Sequence, residues 1–266
     1  MDHLLPFREL APTRIKARTT VYNGLGKDIT PERFWSILSH RGVFYGSVFA
    51  QEHGGHFASL EDWEMYRNGE GADKPQTYFV NSSAYGPSNK HRVIDLVPRY
   101  WSLRNKWMNF SKNQFTGFMS LFSFLSSKDE LEIVVGMGDN INGLKTMHRK
   151  RQGKRSSKHR PPNFPNIGPL AALLISGDLA IEGIVPKPTV EEMGRIVFKL
   201  GKGALVGLIR LGLVEKKSVE QEVVSAFSFL YNYLERNLTT EVKTLISFDV
   251  FMLEHGLCKY SRVVKT

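Results

Sequence analysis

The chain has 266 residues, 41% hydrophobic and 23% charged, with a formal net charge of +10. That composition excludes disorder throughout and supports a sizeable core in one large domain or two small ones. The charge is local: residues 145–160, KTMHRKRQGKRSSKHR, hold eight Lys or Arg and no acid. An evenly basic surface of the kind that wraps nucleic acid is thereby excluded. The lone cysteine, Cys258, permits no intrachain disulfide framework and fits a reducing compartment. MDHLLPFREL shows no basic leader or apolar run of signal-peptide length, and no run reaches the roughly 18 apolar residues of a spanning helix. The expectation is an intracellular protein with no membrane span.

Along the chain, residues 1–20 are basic, Pro-punctuated and weakly periodic. TPERFWSILSHRG then predicts a helix capped by Thr30, with Pro31 at its first position and Gly42 after its last turn. VFYGSVFAQ (43–51) is aromatic and β-branched and predicts a strand, with HGGH as its turn. SLEDWEMYRNG predicts a short helix, with Ser59 and Asp62 at capping-box spacing and Asn68-Gly69 as its stop. TYFV (77–80) predicts a short strand and NSSAYGPSNK a loop. From Pro98 to Leu125 two helical stretches carry Trp101, Trp107, Phe110, Phe115, Phe118, Phe122 and Phe124. ELEIVV (130–135) predicts a further strand.

After Pro165 the pattern is helical throughout. Thr189 and Glu192 form a capping box for VEEMGRIVFKLG, GALVGLIRLGLV is almost wholly apolar, and Ser218 and Gln221 form a second box for VEQEVVSAFSFLYNYLER. EVKTLISFDVFMLEH predicts one last helix ending at Gly256. The fold class expected is α+β, helix-dominated overall: a mixed α/β region over 1–137, a basic loop or linker over 138–165, and an all-α region over 166–266.

Candidate chemistry is sparse. His53-Gly-Gly-His56, with His40 and Glu52 near in sequence, offers imidazoles to a metal but lacks a third and fourth ligand of the usual kind, so turn chemistry explains it better and no metal is expected. His255 and Cys258 fit a helix end with a small thiol better than a nucleophile and base. Gly24-Leu-Gly26-Lys27 and Gly201-Lys202-Gly203 lack the spacing of a phosphate loop. Gly203 and Gly207 read first as close packing of a core helix, with a self-association or peripheral membrane face as the lesser alternative. No catalytic residue and no cofactor emerge. The aromatic block, interleaved with Arg99, Arg104, Lys106 and Lys112, permits base stacking, but helical spacing places most of its rings in a core.

The basic segment therefore bears most of the functional reading. Lys145, Arg149, Lys150, Arg151, Lys154, Arg155, Lys158 and Arg160 suit an import signal, a phosphate grip or a solvated linker. The lack of aromatics among them disfavours base reading and puts an exposed docking or import loop first. Ser156 and Ser157 are candidate phosphorylation sites that would lower the charge.

SLEDWEMYRNGEG (59–71), TYF (77–79), RVIDLV (92–97) and FMSLFSFLSSKDELEIVV (118–135), with the Gly-interrupted helical region 166–214, follow one another in an order that resembles the phlebovirus non-structural protein NSs. The resemblance covers about half the chain and rests on order and character. The chain departs from that pattern in lacking a Trp-Pro pair, and its C-terminus, KYSRVVKT, is basic where many members are acidic. The resemblance implies a non-enzymatic viral virulence factor that binds host signalling or transcription proteins, antagonises the interferon response and self-associates. Host cytoplasm, with the nucleus if the basic segment meets an import receptor, is the implied location. The alternative is a viral RNA-binding, nucleocapsid-like protein using the basic loop and the aromatic block.

Overall fold

The computed structural model describes residues 12–25, 29–81, 92–113, 115–126 and 163–263. Among these there is no strand; the described chain is helical, and the expected α+β class is corrected to all-α. The helices are α1 (Pro12–Thr19), α2 (Pro31–Ser39), α3 (Val48–Glu52), α4 (Leu60–Asn68), α5 (Gln76–Phe79), α6 (Val97–Leu103), α7 (Lys106–Asn113) and α8 (Phe118–Ser126). After a gap in the description come α9 (Pro169–Ile181), α10 (Val190–Leu200), α11 (Ala204–Arg210), α12 (Glu220–Asn237), α13 (Thr240–Ile246) and α14 (Val250–Val263). Two π-helical turns, His40–Phe44 and Arg92–Leu96, extend α2 and lead into α6.

The predicted strand 43–51 is the π turn followed by α3. Ser47 accepts a hydrogen bond from Ala50 N and starts α3, while Gly46 turns the chain at φ 74°. The run is apolar because Val43, Phe44 and Phe49 are all fully buried, and a short buried apolar run has no periodicity that separates strand from helix. TYFV is likewise helical, as α5, with Phe79 buried. The strand expected at 130–135 lies outside the described residues.

The N-terminal region is built around aromatic rings. Phe34 stacks on Trp107 at 4.6 Å and meets Phe164 edge-on at 5.7 Å, and Phe110 stacks on Phe124 at 4.2 Å. The indole N–H groups find backbone acceptors: Trp35 donates to Val97 O at 2.9 Å and Trp107 to Ile29 O at 2.7 Å. Such pairing removes the cost of burying a donor. The same core continues through α9, α10, α11 and α14, with Phe118 on α8 meeting Phe251 on α14 at 5.6 Å.

The two flanks of the undescribed stretch 127–162 meet. Asn163 Nδ2 donates to Phe124 O at 3.0 Å, Phe164 packs on Phe124 at 5.4 Å, and the Tyr100 hydroxyl donates to Pro165 O at 2.7 Å.

In the C-terminal region, Gly207 lets α11 approach α14, since a Cβ there would lie 2.5 Å from Leu257 O. The Gly203/Gly207 face is thus an intramolecular packing face. Gly194 plays the same part between α10 and α12, where a Cβ would lie 2.9 Å from Val224 Cα. The single last helix expected at 241–255 is instead α13 and α14, broken at Ser247 (φ 50°), with Asp249 Oδ1 accepting from Met252 N at 2.9 Å to restart it.

Candidate functional site

All eight basic residues singled out in the sequence, Lys145, Arg149, Lys150, Arg151, Lys154, Arg155, Lys158 and Arg160, lie outside the described residues, as do Ser156 and Ser157. The other candidates are placed, and most serve the core. Among the described residues no group of three His, Cys, Asp or Glu side chains is arranged to hold a metal ion. His53 is exposed, with its ring stacked on Phe49 at 5.0 Å and on Phe57 at 5.1 Å. His56 Nε2 lies 2.8 Å from the Arg33 guanidinium. Burial and then that cation lower the His56 pKa to about 4. Gly201 is the left-handed cap of α10 and Gly203 the start of α11, so Gly201-Lys202-Gly203 is a helix junction. Cys258 packs beside Gly203, and burial pushes its thiol pKa up.

The aromatic block is also core. Trp107, Phe110, Phe118, Phe122 and Phe124 are buried. Trp101, half-buried, is covered by the Arg104 guanidinium at 3.9 Å. Rings packed in this way are not a stacking platform for bases.

One charged group is unforeseen in the sequence. Asp178, on α9, is fully buried and is met by three groups from the N-terminal region. Arg41 binds both carboxylate oxygens, the Tyr22 hydroxyl donates to Oδ2 at 2.7 Å, and Arg14 Nε lies 3.8 Å from Oδ1. Arg14 also donates to Glu182 at 2.7 Å, and Arg18 joins Glu182 at 3.3 Å. Burial alone would lower the Arg41 pKa; the Asp178 carboxylate more than offsets it, and the guanidinium is held charged. His40 sits edge-on to Tyr22 and Tyr45 at 6.2 and 5.8 Å, and burial pushes its pKa down to about 3. Three arginines meet two carboxylates; the Asp178 end is buried, while the Glu182–Arg18 end reaches solvent. The group clamps α1 and the π turn to α9.

An accessible feature among the described residues is the far end of α12 with its neighbour α13. Val223, Val224 and Phe227 bury one side of α12 against α10. Beyond Phe227 no residue up to 237 is fully buried; Leu230, Tyr231 and Leu234 still lean on the core, and the opposite face is open. α13 folds back beside it through Tyr231 stacked on Phe248 at 5.3 Å and Lys243 Nζ on Glu235 at 2.8 Å. No residue of α13 is buried, and its Leu245 is 80% exposed. On α12, Phe229 is 62% and Tyr233 54% exposed, and their rings lie 6.4 Å apart. These two and Glu222, Ser225, Asn232 and Arg236 recur at three- and four-residue spacing, which puts all six on one exposed face. In the sequence, AFSFLYNYLER reads as core-type periodicity. The available signal was that aromatics occupy more than one face, more than a single contact with α10 could cover.

Comparison with protein-family models, with curated proteins and with solved structures gives no match to this chain.

Proposed function

We propose that this chain is a non-enzymatic factor that acts by binding other proteins, and that the arm of residues 229–246, through its open face, is its contact region. The observation that carries the reading is the arm itself. Phe229, Tyr233 and Leu245 stand in solvent on one pair of helices, while most rings among the described residues are packed in or against the core. Grouped exposed aromatics and leucines of this kind typify protein-binding surfaces. The order-and-character resemblance to phlebovirus NSs gives the binding its biological setting: host signalling or transcription proteins, with a blunted interferon response as the outcome. The basic segment 145–160 remains the candidate import or phosphate-binding element. The burial of Trp107, Phe110, Phe118, Phe122 and Phe124 weighs against the nucleocapsid-like alternative and its aromatic groove.

The test is an interferon-promoter reporter in cells expressing the chain, alongside the Leu245→Asp and Phe229→Ala/Tyr233→Ala variants. The expected result is suppression by the native chain and its loss in at least one arm variant that retains native helicity. Full promoter activity with the native chain would end the antagonist reading. Suppression untouched by any arm variant would move the contact region elsewhere.

A further inference from the structure

We infer that the open face of α12 pairs with the same face of a second copy of this chain, antiparallel, about a twofold axis at Phe229. The inference rests on reading the arm as a protein-binding surface and names its occupant. Its argument is the order of side chains along the face. Glu222 stands seven residues before Phe229 and Arg236 seven after it; Ser225 stands four before and Tyr233 four after. An antiparallel pair centred on Phe229 therefore sets Glu222 opposite Arg236 of the other copy, at both ends of the contact. It also sets the small Ser225 opposite the bulky Tyr233, with the two Phe229 rings meeting at the axis. A twofold contact requires a self-complementary surface, and this face has one in charge and in size. A parallel pair would instead set Glu222 on Glu222 and Arg236 on Arg236.

The groups are available for this pairing. Arg236 has no ion-pair partner among the described residues. Glu222 uses Oε2 to accept from its own Val219 N at 3.0 Å, which leaves Oε1 to a guanidinium. The neighbouring elements do not cover the face. α10 takes the Val223–Phe227 side, and α13 attaches through Tyr231 and Glu235 on another flank. At 18 residues α12 is ~27 Å long, enough for one short helix pair and less than a large obligate interface. A reversible dimer with a micromolar dissociation constant is the expected strength.

The test is sedimentation velocity of the full chain over a concentration series, with helicity checked by circular dichroism. The native chain should show a concentration-dependent monomer–dimer equilibrium. Phe229→Ala/Tyr233→Ala should leave only monomer. Arg236→Glu sets Glu against Glu twice and should weaken the dimer roughly tenfold. Glu222→Arg should weaken it similarly. The double exchange Glu222→Arg/Arg236→Glu should recover native affinity within a few-fold, which a role in folding alone would not produce. A native chain that stays monomeric at 100 µM overturns the inference, as does a dimer indifferent to these changes or a double exchange without recovery. A monomeric native chain whose arm variants still lose reporter suppression would overturn the pairing and leave the protein-binding reading standing, with another protein's surface as the occupant. A dimer that responds as stated, in a chain without reporter activity, would leave the pairing standing and remove the antagonist reading.

Discussion

Asp178 shows how much of this fold hangs on single side chains. It is the common acceptor for Arg41 and Tyr22 and the near neighbour of Arg14, and all four groups are buried. Removing one member of such a group leaves uncompensated charge in the interior, at a cost of about 3–5 kcal/mol. Asp178→Ala should therefore lower the urea midpoint more than any surface change, with equilibrium denaturation followed by circular dichroism as the measurement. His40, next to this group, makes stability depend on pH. Its pKa is about 3 when folded, against an ordinary value near 6.5. Between those values the unfolded chain takes up a proton that the folded chain refuses, so stability falls as pH drops from about 6.5 towards 3. The slope from this group alone reaches about 1.4 kcal/mol per pH unit. His56 is depressed in the same direction and adds to the fall. Denaturation at pH 7.5 and at pH 5.0 should show a smaller pH-dependent loss for His40→Phe than for the native chain; equal losses would assign the sensitivity to other groups. None of this was legible in sequence. Arg14 lies in a stretch that reads as a basic arm, and nothing local marks a buried arginine whose partner is 164 positions away.

Elements were legible where a start signal is local. Thr30, the Ser59–Asp62 box and the Thr189–Glu192 box all cap the helices they were expected to cap. The second predicted box is displaced by one residue. Ser218 instead accepts from Glu215 N at 3.0 Å, and Glu222 reaches back to Val219 N. The strand at 43–51 failed because Val43, Phe44 and Phe49 are chosen for burial, and a short apolar run of this kind has no periodicity that separates strand from helix. Ser47 was the overlooked cap. The missed break at Ser247 follows from packing: Phe248 is drawn onto Tyr231, and the chain turns to put it there. At the α11–α14 contact, a side chain at position 207 would collide with the Leu257 backbone, which has no rotamer to escape into. Gly207→Val should cost about 1–3 kcal/mol by forcing the helices apart. Thermal unfolding should show the loss, and a native melting temperature would mean that the helices separate freely. The candidate binding face escaped sequence reasoning for a related reason. Phe229 and Tyr233 look like core residues until the neighbours that fail to cover them are known.

At the scale of the molecule, one hydrophobic core runs from α1 to α14, and the buried Asp178 group ties the N-terminal helices to α9. The open face of α12 departs from that economy of contact, and its exposed rings are what an interface would use. The basic segment is the other candidate, and its attachment separates it from the rest. Asn163 on Phe124 O, with Phe164 against Phe124, brings together the two described flanks of residues 127–162. A stretch entered and left at the same place is thermodynamically a side excursion. Halving its length changes the closure entropy by only about 0.6 kcal/mol. Replacing residues 130–160 with a short Gly-Ser bridge should thus leave helicity and the urea midpoint close to native; loss of the cooperative transition would show that the segment belongs to the core. The consequence is modularity. The densest run of positive charge in the sequence, residues 145–160, lies within this excursion, so a fold that survives the bridge would let address or phosphate chemistry be removed, swapped or tuned by phosphorylation apart from the helical frame.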